Sequence, residues 1–155
     1  MRTLIVFYSR TGTTKKAAEA LAEKIGADVE ELVDQKDRSG MSGWLKSGRD
    51  AMRKSLTSLN ETKKNPADYD LIIIGSPVWA GTMSAAVRTY LSDNQAKLKE
   101  AAFFSTQGGA NEQRIFGDME NLIGKKPKAI LWMTTKEVRA GEIEKKMEEF
   151  VAKVK

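Results

Sequence analysis

Residues 4–14 read Leu4-Ile5-Val6-Phe7-Tyr8-Ser9-Arg10-Thr11-Gly12-Thr13-Thr14, an apolar run that breaks into hydroxyls around one glycine. An unbroken apolar run without polar alternation predicts a strand covered on both faces, Leu4–Tyr8. A helical pattern follows over Thr13–Ile25. Ala17, Leu21 and Ile25 fall four apart, with Ala20 beside them, which leaves one stripe for a core. Strand, glycine-bearing loop and helix in this order are the first part of a parallel crossover unit.

The same alternation recurs along the chain. Asp28–Val33 is a weak second strand. Asp70–Gly75, with Leu71-Ile72-Ile73-Ile74 inside it, is the most apolar strand, and Met83–Leu91 is the helix after it. Ala101–Ser105 opens another unit, with a helix near Asn111–Ile123, and Ala129–Met133 follows Pro127. Glu142–Val154 closes the chain as a helix with Ile143, Met147, Phe150, Val151 and Val154 turned inward. The pattern predicts an α/β fold, a doubly wound parallel sheet of five strands with helices on both faces. At 155 residues, with no repeat and no long polar linker, a single domain over 1–155 is expected. Right-handed crossovers put every post-strand loop on one edge of such a sheet, where ligands bind. Three loops therefore matter: Ser9–Thr14, Ser76–Thr82 and Thr106–Asn111.

Composition removes much side-chain chemistry. With no Cys there is no disulfide, thiol nucleophile or thiolate-held metal. With no His there is no Ser-His-acid triad and no imidazole-held zinc. No catalytic side chain and no metal site is expected, so redox chemistry would have to come from a bound cofactor. The start of the chain has too short an apolar run for a signal-peptide core, and no run is long enough to span a bilayer, so a cytoplasmic protein is expected.

The first loop suits an anion. Gly12 permits tight curvature, the first amides of the following helix are donors without helical partners, and the helix dipole favours negative charge. Ser9, Thr11, Thr13 and Thr14 can add hydroxyl donors. The alternative is a hydroxyl-rich helix cap with no ligand. The spacing lacks both the Gly-x-x-x-x-Gly-Lys-[Ser/Thr] of an ATPase loop and the Gly-x-Gly-x-x-Gly of a dinucleotide fold.

Ser9-Arg10-Thr11-Gly12-Thr13-Thr14 resembles the first loop, [Ser/Thr]-x-Thr-Gly-x-Thr, of the flavodoxins and flavodoxin-like FMN proteins. The segment Gly75-Ser76-Pro77-Val78-Trp79-Ala80-Gly81-Thr82 after the most apolar strand is similar to their second loop. The resemblance runs over essentially the whole chain and implies strand order 2-1-3-4-5 and FMN as cofactor. It implies cofactor contacts from Ser9, Arg10, Thr11, Gly12, Thr13 and Thr14, then Ser76, Pro77, Val78, Trp79, Ala80, Gly81 and Thr82. Trp79 matches an aromatic that often flanks the flavin; the alternative is packing beneath a loop. Thr82 is expected to begin and cap the next helix with its hydroxyl towards the cofactor. Thr106, Gln107, Gly108 and Gly109 match the third flavin-contacting loop. Family members commonly carry a Tyr there, whereas no aromatic lies between Phe104 and Phe116 here, which leaves one ring face open or covered by another segment or a partner.

The stretch from Asp34 to Lys64 is long for a connection and carries charge. It has 8 Lys/Arg against 4 Asp/Glu, a net +4 of the chain's +5. Leu45, Met52, Leu56 and Leu59 follow a rough helical period, so a helix over Trp44–Leu59 is expected, with Trp44 packing it onto the sheet rather than reaching the flavin. The basic stretch reads equally as a lip for an acidic partner or phosphorylated substrate and as a solvated helix face. It contains no nucleic-acid module. The favoured function is FMN-dependent electron transfer with a redox partner protein, an acidic one if the basic lip serves it. The rival is an FMN-dependent NAD(P)H oxidoreductase acting on a quinone or another small acceptor. A third reading is a non-redox fold relative that binds another phosphate ligand or a protein.

Overall fold

Three strands whose side chains are apolar on both faces occupy the middle of the sheet and set its architecture. In the computed structural model, which describes residues 1–111 and 113–155, β1 is Thr3–Phe7, β2 Asp28–Glu31, β3 Leu71–Trp79, β5 Glu100–Gln107 and β6 Ile130–Thr134. All pair in parallel in the order β2-β1-β3-β5-β6. Counting parallel strands alone, this is the expected 2-1-3-4-5. A sixth short strand, β4 (Thr82–Met83), departs from the expectation and pairs antiparallel with the end of β3.

Side chains of the central strands alternate between two cores. Ile5, Phe7, Ile73 and Phe104 face helices α1 (Thr13–Ile25) and α6 (Glu144–Val154). Leu4, Val6, Ile72, Ile74 and Phe103 face α3 (Ala85–Asn94) and α4 (Ile115–Ile123). Ile143, Met147, Phe150, Val151 and Val154 are buried as expected. Helix α1 has the expected bounds, although Ala18 and Ala22, rather than Ala20, complete its buried stripe. Gly75 marks a close approach in the sheet: a Cβ there would lie 2.0 Å from the ring of Phe104 on the neighbouring strand.

Several boundaries shift for local reasons. The expected closing helix Glu142–Val154 is α6 and begins at Glu144; an additional short helix, α5 (Thr135–Ala140), precedes it, opened by a reciprocal capping box of Thr134 and Glu137 and ended by Gly141 at φ 73°. The expected start of α4 at Asn111 spans Glu112, which lies outside the described residues; the helix begins at Ile115. The expected Met83–Leu91 helix starts at Ala85, because Ser84 is its cap and accepts from the Val87 amide.

The largest correction concerns residues 34–64. The helix is Gly40–Met52 (α2) and ends where Lys54 turns left-handed at φ 54°. It rides on an excursion closed at its base, where Asp34 bridges Leu59 and the amides of Gln35 and Asn60 reach Ser58 and Val33. Leu45, Met52 and Leu56 do not pack inward; they are exposed, as is Trp44. The helix turns Gly43, Ser47, Asp50 and Ala51 towards the body instead. The reason is Arg38, which is 3% exposed. Its Nε donates to Asp34 Oδ2 at 2.6 Å, and its guanidinium meets Asp50 Oδ2 at 3.0 Å and Ser47 Oγ at 3.3 Å. A buried charge without partners costs far more than exposed leucines gain by burial, so the polar face of α2 wins the inside.

Candidate functional site

Three strand ends meet at one edge of the sheet. After β1 the chain enters the hydroxyl loop, and Gly12 takes φ 95° as the N-cap of α1. A glycine cap has no side chain to engage the first helical amides, and no acidic residue stands in the first turn. The first amides of α1 therefore face outward with the positive end of the helix dipole behind them. Ser9 Oγ is already engaged, accepting from the Gly12 amide at 3.0 Å. Thr14 is buried and its hydroxyl is bonded to that of Thr106 at 2.8 Å, which ties the first loop to the end of β5. This leaves the Thr11 and Thr13 hydroxyls as the loop's unengaged hydroxyl donors among the described residues.

A cavity of about 190 Å³ opens over this loop. Arg10, Thr11, Thr13 and Thr14 line one wall, Pro77, Val78 and Trp79 a second, and Thr106, Gln107 and Gly108 a third. Two further residues complete it: Trp44 from α2 and Thr135 from the start of α5. Trp44 was expected in packing, yet it stands at the cavity rim, 59% exposed. Thr135 belongs to none of the three expected loops. The rule that identified the other loops applies to it too, because it directly follows the last strand. Among the described residues no carboxylate lines the cavity.

The remaining expected contacts lie elsewhere. Ser76 is fully buried, where its hydroxyl donates to the Pro77 carbonyl and accepts from the Ser84 amide. Thr82 is a strand residue rather than a helix cap, and its hydroxyl donates to Asp118 Oδ2 at 2.5 Å. Ala80 and Gly81 form the two-residue turn between β3 and β4, both left-handed at φ 50° and 81°. Positive φ at both positions is the signature of a type I′ hairpin turn. Gly109 is exposed, and its carbonyl accepts from the Gln107 side chain at 2.7 Å, which shapes the third loop from within.

Trp79 is braced on two sides. Tyr8 meets it edge-to-face with ring centroids 5.5 Å apart, and the Arg38 guanidinium lies 5.2 Å from its ring centre. Burial pushes the Tyr8 hydroxyl above its usual range, with Asp34 adding to the shift and Arg38 and Arg10 opposing it. Arg10 in turn donates to the Arg38 carbonyl at 3.0 Å. One buried arginine thus connects the first loop, the second loop and α2.

The arrangement can hold a phosphate on neutral donors at a helix start and carry a polar chain to an aromatic wall on one side and open glycines on the other. A ribityl phosphate bearing a flat heterocycle suits this donor set, since among the described residues no carboxylate lining the cavity opposes the anion and, beyond its chain neighbours, nothing lies within 4 Å of where a Cβ on Gly108 would stand.

Known proteins share this frame. A flavoprotein from Lactobacillus acidophilus NCFM, solved in complex with FMN, superposes with a TM-score of 0.74 at 25% identity, covering 90% of this chain and 97% of that one. A putative flavoprotein from Bacteroides uniformis gives 0.76 at 23% identity over 91% and 97%. Oxidised Flavodoxin 2 from Bacillus cereus gives 0.60 at 18% over 99% and 98%. A flavodoxin family model matches residues 2–154, and the chain belongs to the flavodoxin family.

Proposed function

We propose that the protein binds FMN non-covalently and passes electrons to a partner. The observation that carries this reading is the cavity over the first turn of α1, where glycine-capped amides and unengaged Thr11 and Thr13 hydroxyls converge with Trp79 and Gly108. Family membership and the FMN complex of the Lactobacillus relative support it. Bound there, the flavin supplies the redox chemistry. The chain holds the phosphate, Trp79 presents a fixed apolar wall, and the Thr106–Gly109 segment offers main-chain groups to the ring. No side chain has to exchange a proton, in keeping with a site that has no His or Cys.

Lys46, Arg49, Arg53 and Lys54 are exposed around α2, which favours a partner with an acidic surface. An aromatic-free third loop and the groove described below favour a second reading, direct reaction with NAD(P)H and a small acceptor. Among the described residues no helix is long and apolar enough to cross a membrane.

Titration of the purified protein with FMN should quench flavin fluorescence to a 1:1 endpoint. Replacing Thr11 and Thr13 together with Ala should weaken FMN by on the order of tenfold per lost charge-assisted hydrogen bond, and riboflavin little. Equal losses for both ligands would contradict a phosphate seat, and no binding would end the flavin reading. Anaerobic mixing of the loaded protein with NADH or NADPH then separates the two functions, because rapid bleaching without a reductase identifies an enzyme and its absence a carrier.

A further inference from the structure

Helix α2 is built inside out. Its buried face is Gly43, Ser47, Asp50 and Ala51, while Met41, Trp44, Leu45 and Met52 form a stripe at helical spacing that is 59–75% exposed. Single exposed apolar residues are ordinary, but a contiguous stripe marks a binding surface. The stripe has an opposite wall. Val78, Trp79 and Ala80 of the β3–β4 hairpin face Trp44, Leu45 and Met52 across a groove of about 470 Å³. That volume falls within the roughly 300–1,000 Å³ typical of small-molecule pockets.

Charge defines what the groove accepts. Arg49 and Arg53 line it, and among the described residues no carboxylate does. Among the described residues Arg53 has no ion pair, and the single pair of Arg49 is a 3.9 Å contact with Asp50, a carboxylate already held by Lys36 and Arg38. Both guanidinium groups are therefore available to an incoming anion. A protein partner fits less well, since the stripe is four side chains long and a stable protein interface covers about 20–30 residues on each side.

We propose that this groove is a second ligand site, distinct from the phosphate cavity, for a planar aromatic anion: one or two fused rings carrying a carboxylate, sulfonate or phosphate. The ring system lies against Trp44 and Trp79, and the anionic group meets Arg49 and Arg53. Trp44, Val78 and Trp79 also line the phosphate cavity, so a ligand here is a neighbour of the cofactor. That adjacency rests on the FMN reading; binding in the groove does not.

The test is calorimetric titration of naphthalene-2-sulfonate, and of the neutral 2-naphthalenemethanol, into FMN-loaded and FMN-free protein. Saturable 1:1 binding of the sulfonate is expected in both. Arg49→Gln with Arg53→Gln should weaken the sulfonate at least tenfold and leave the alcohol within twofold. Leu45→Asp, with Met52→Asp as a second variant and circular dichroism to check folding, should abolish both while FMN titrates as in the parent. The proposal is overturned by absence of saturable sulfonate binding, or by equal loss of both probes in the arginine variant. One-for-one displacement of FMN by the sulfonate also overturns it, since the groove would then be part of the cofactor's seat. So does sedimentation as a dimer that Leu45→Asp converts to monomer, with a second copy covering the stripe. Sulfonate binding in a protein that takes no FMN would sink the flavin reading and uphold this one; FMN binding without sulfonate binding would do the reverse.

Discussion

Replacing Arg38 with Met tests the claim that one buried charge orients the whole 34–64 excursion. The side chain is similar in length and apolar, so little volume is lost, but Asp34 and Asp50 lose their shared counter-charge. Both carboxylates are nearly buried, with side-chain exposures of 2% and 10%. Breaking a buried pair by removing one partner costs about 3–5 kcal/mol. The lower end applies here, because Asp34 keeps hydrogen bonds from the Thr57 hydroxyl at 2.7 Å and the Lys36 amide at 2.9 Å, and Asp50 keeps Lys36 Nζ at 2.7 Å. For a chain of this length each kcal/mol lowers Tm by about 2–4 °C, so a loss of roughly 6–12 °C is expected. Urea unfolding at pH 7 measures the free energy directly. The decisive control is the triple variant Asp34→Asn, Arg38→Met and Asp50→Asn, which leaves no uncompensated buried carboxylate, frees only the half-buried Lys36 to reach water, and should recover more than half of the loss. A single variant within 1 kcal/mol of the parent, or a triple variant as unstable as the single, would refute the reasoning.

Other outcomes follow from individual contacts. Gly75→Ala drives a methyl into the Phe104 ring at 2.0 Å in a fully buried layer, and overpacking of this kind should cost about 1–3 kcal/mol in urea unfolding. Ala80→Asn creates the Asn-Gly pair favoured in type I′ turns and should raise stability by up to about 1 kcal/mol; a loss of stability would mean that the turn is of another type. Asp50 tests acid sensitivity. Burial raises its carboxyl, but hydrogen bonds from Lys36 and Arg38 outweigh this and hold it below the usual carboxylate range. A depressed folded pKa contributes stability above the unfolded value of about 4 and loses it as pH falls below that. The urea midpoints of the parent and of Asp50→Asn should therefore differ most near pH 7 and converge towards pH 3; a constant gap would contradict the pairing.

Much of this frame is legible in the chain because its central strands are covered on both faces. Leu4–Phe7 and Leu71–Ile74 read as unbroken apolar runs, and the loops after β1, β3 and β5 follow from the rule that parallel strands end on one edge. The hairpin after β3 was hidden because Ala80-Gly81 lacks the usual Asn-Gly signal and β4 is only a pair of residues. The orientation of α2 was hidden for a deeper reason. Hydrophobic periodicity assigns Leu45, Met52 and Leu56 to the inside, and only the tertiary burial of Arg38 reverses that assignment. Trp44 moved from expected packing to the cavity rim through the same reversal. Thr135 was within reach of the edge rule, but Thr134-Thr135 has no glycine to draw attention to it.

The turn at Ala80 has a consequence for how this protein can change over time. Stability alone favours asparagine at a left-handed position before glycine, yet Ala80 is also one wall of the groove beside α2. Asparagine would put a hydrogen-bonding amide onto a surface otherwise suited to a flat apolar ring. Relaxing the backbone and keeping the groove apolar therefore select for different residues at the same position. Where that groove is in use, alanine should persist despite its strain; where it has fallen out of use, drift towards asparagine or glycine costs nothing, and the residue found at this turn in a lineage becomes a readable record of whether the groove still matters.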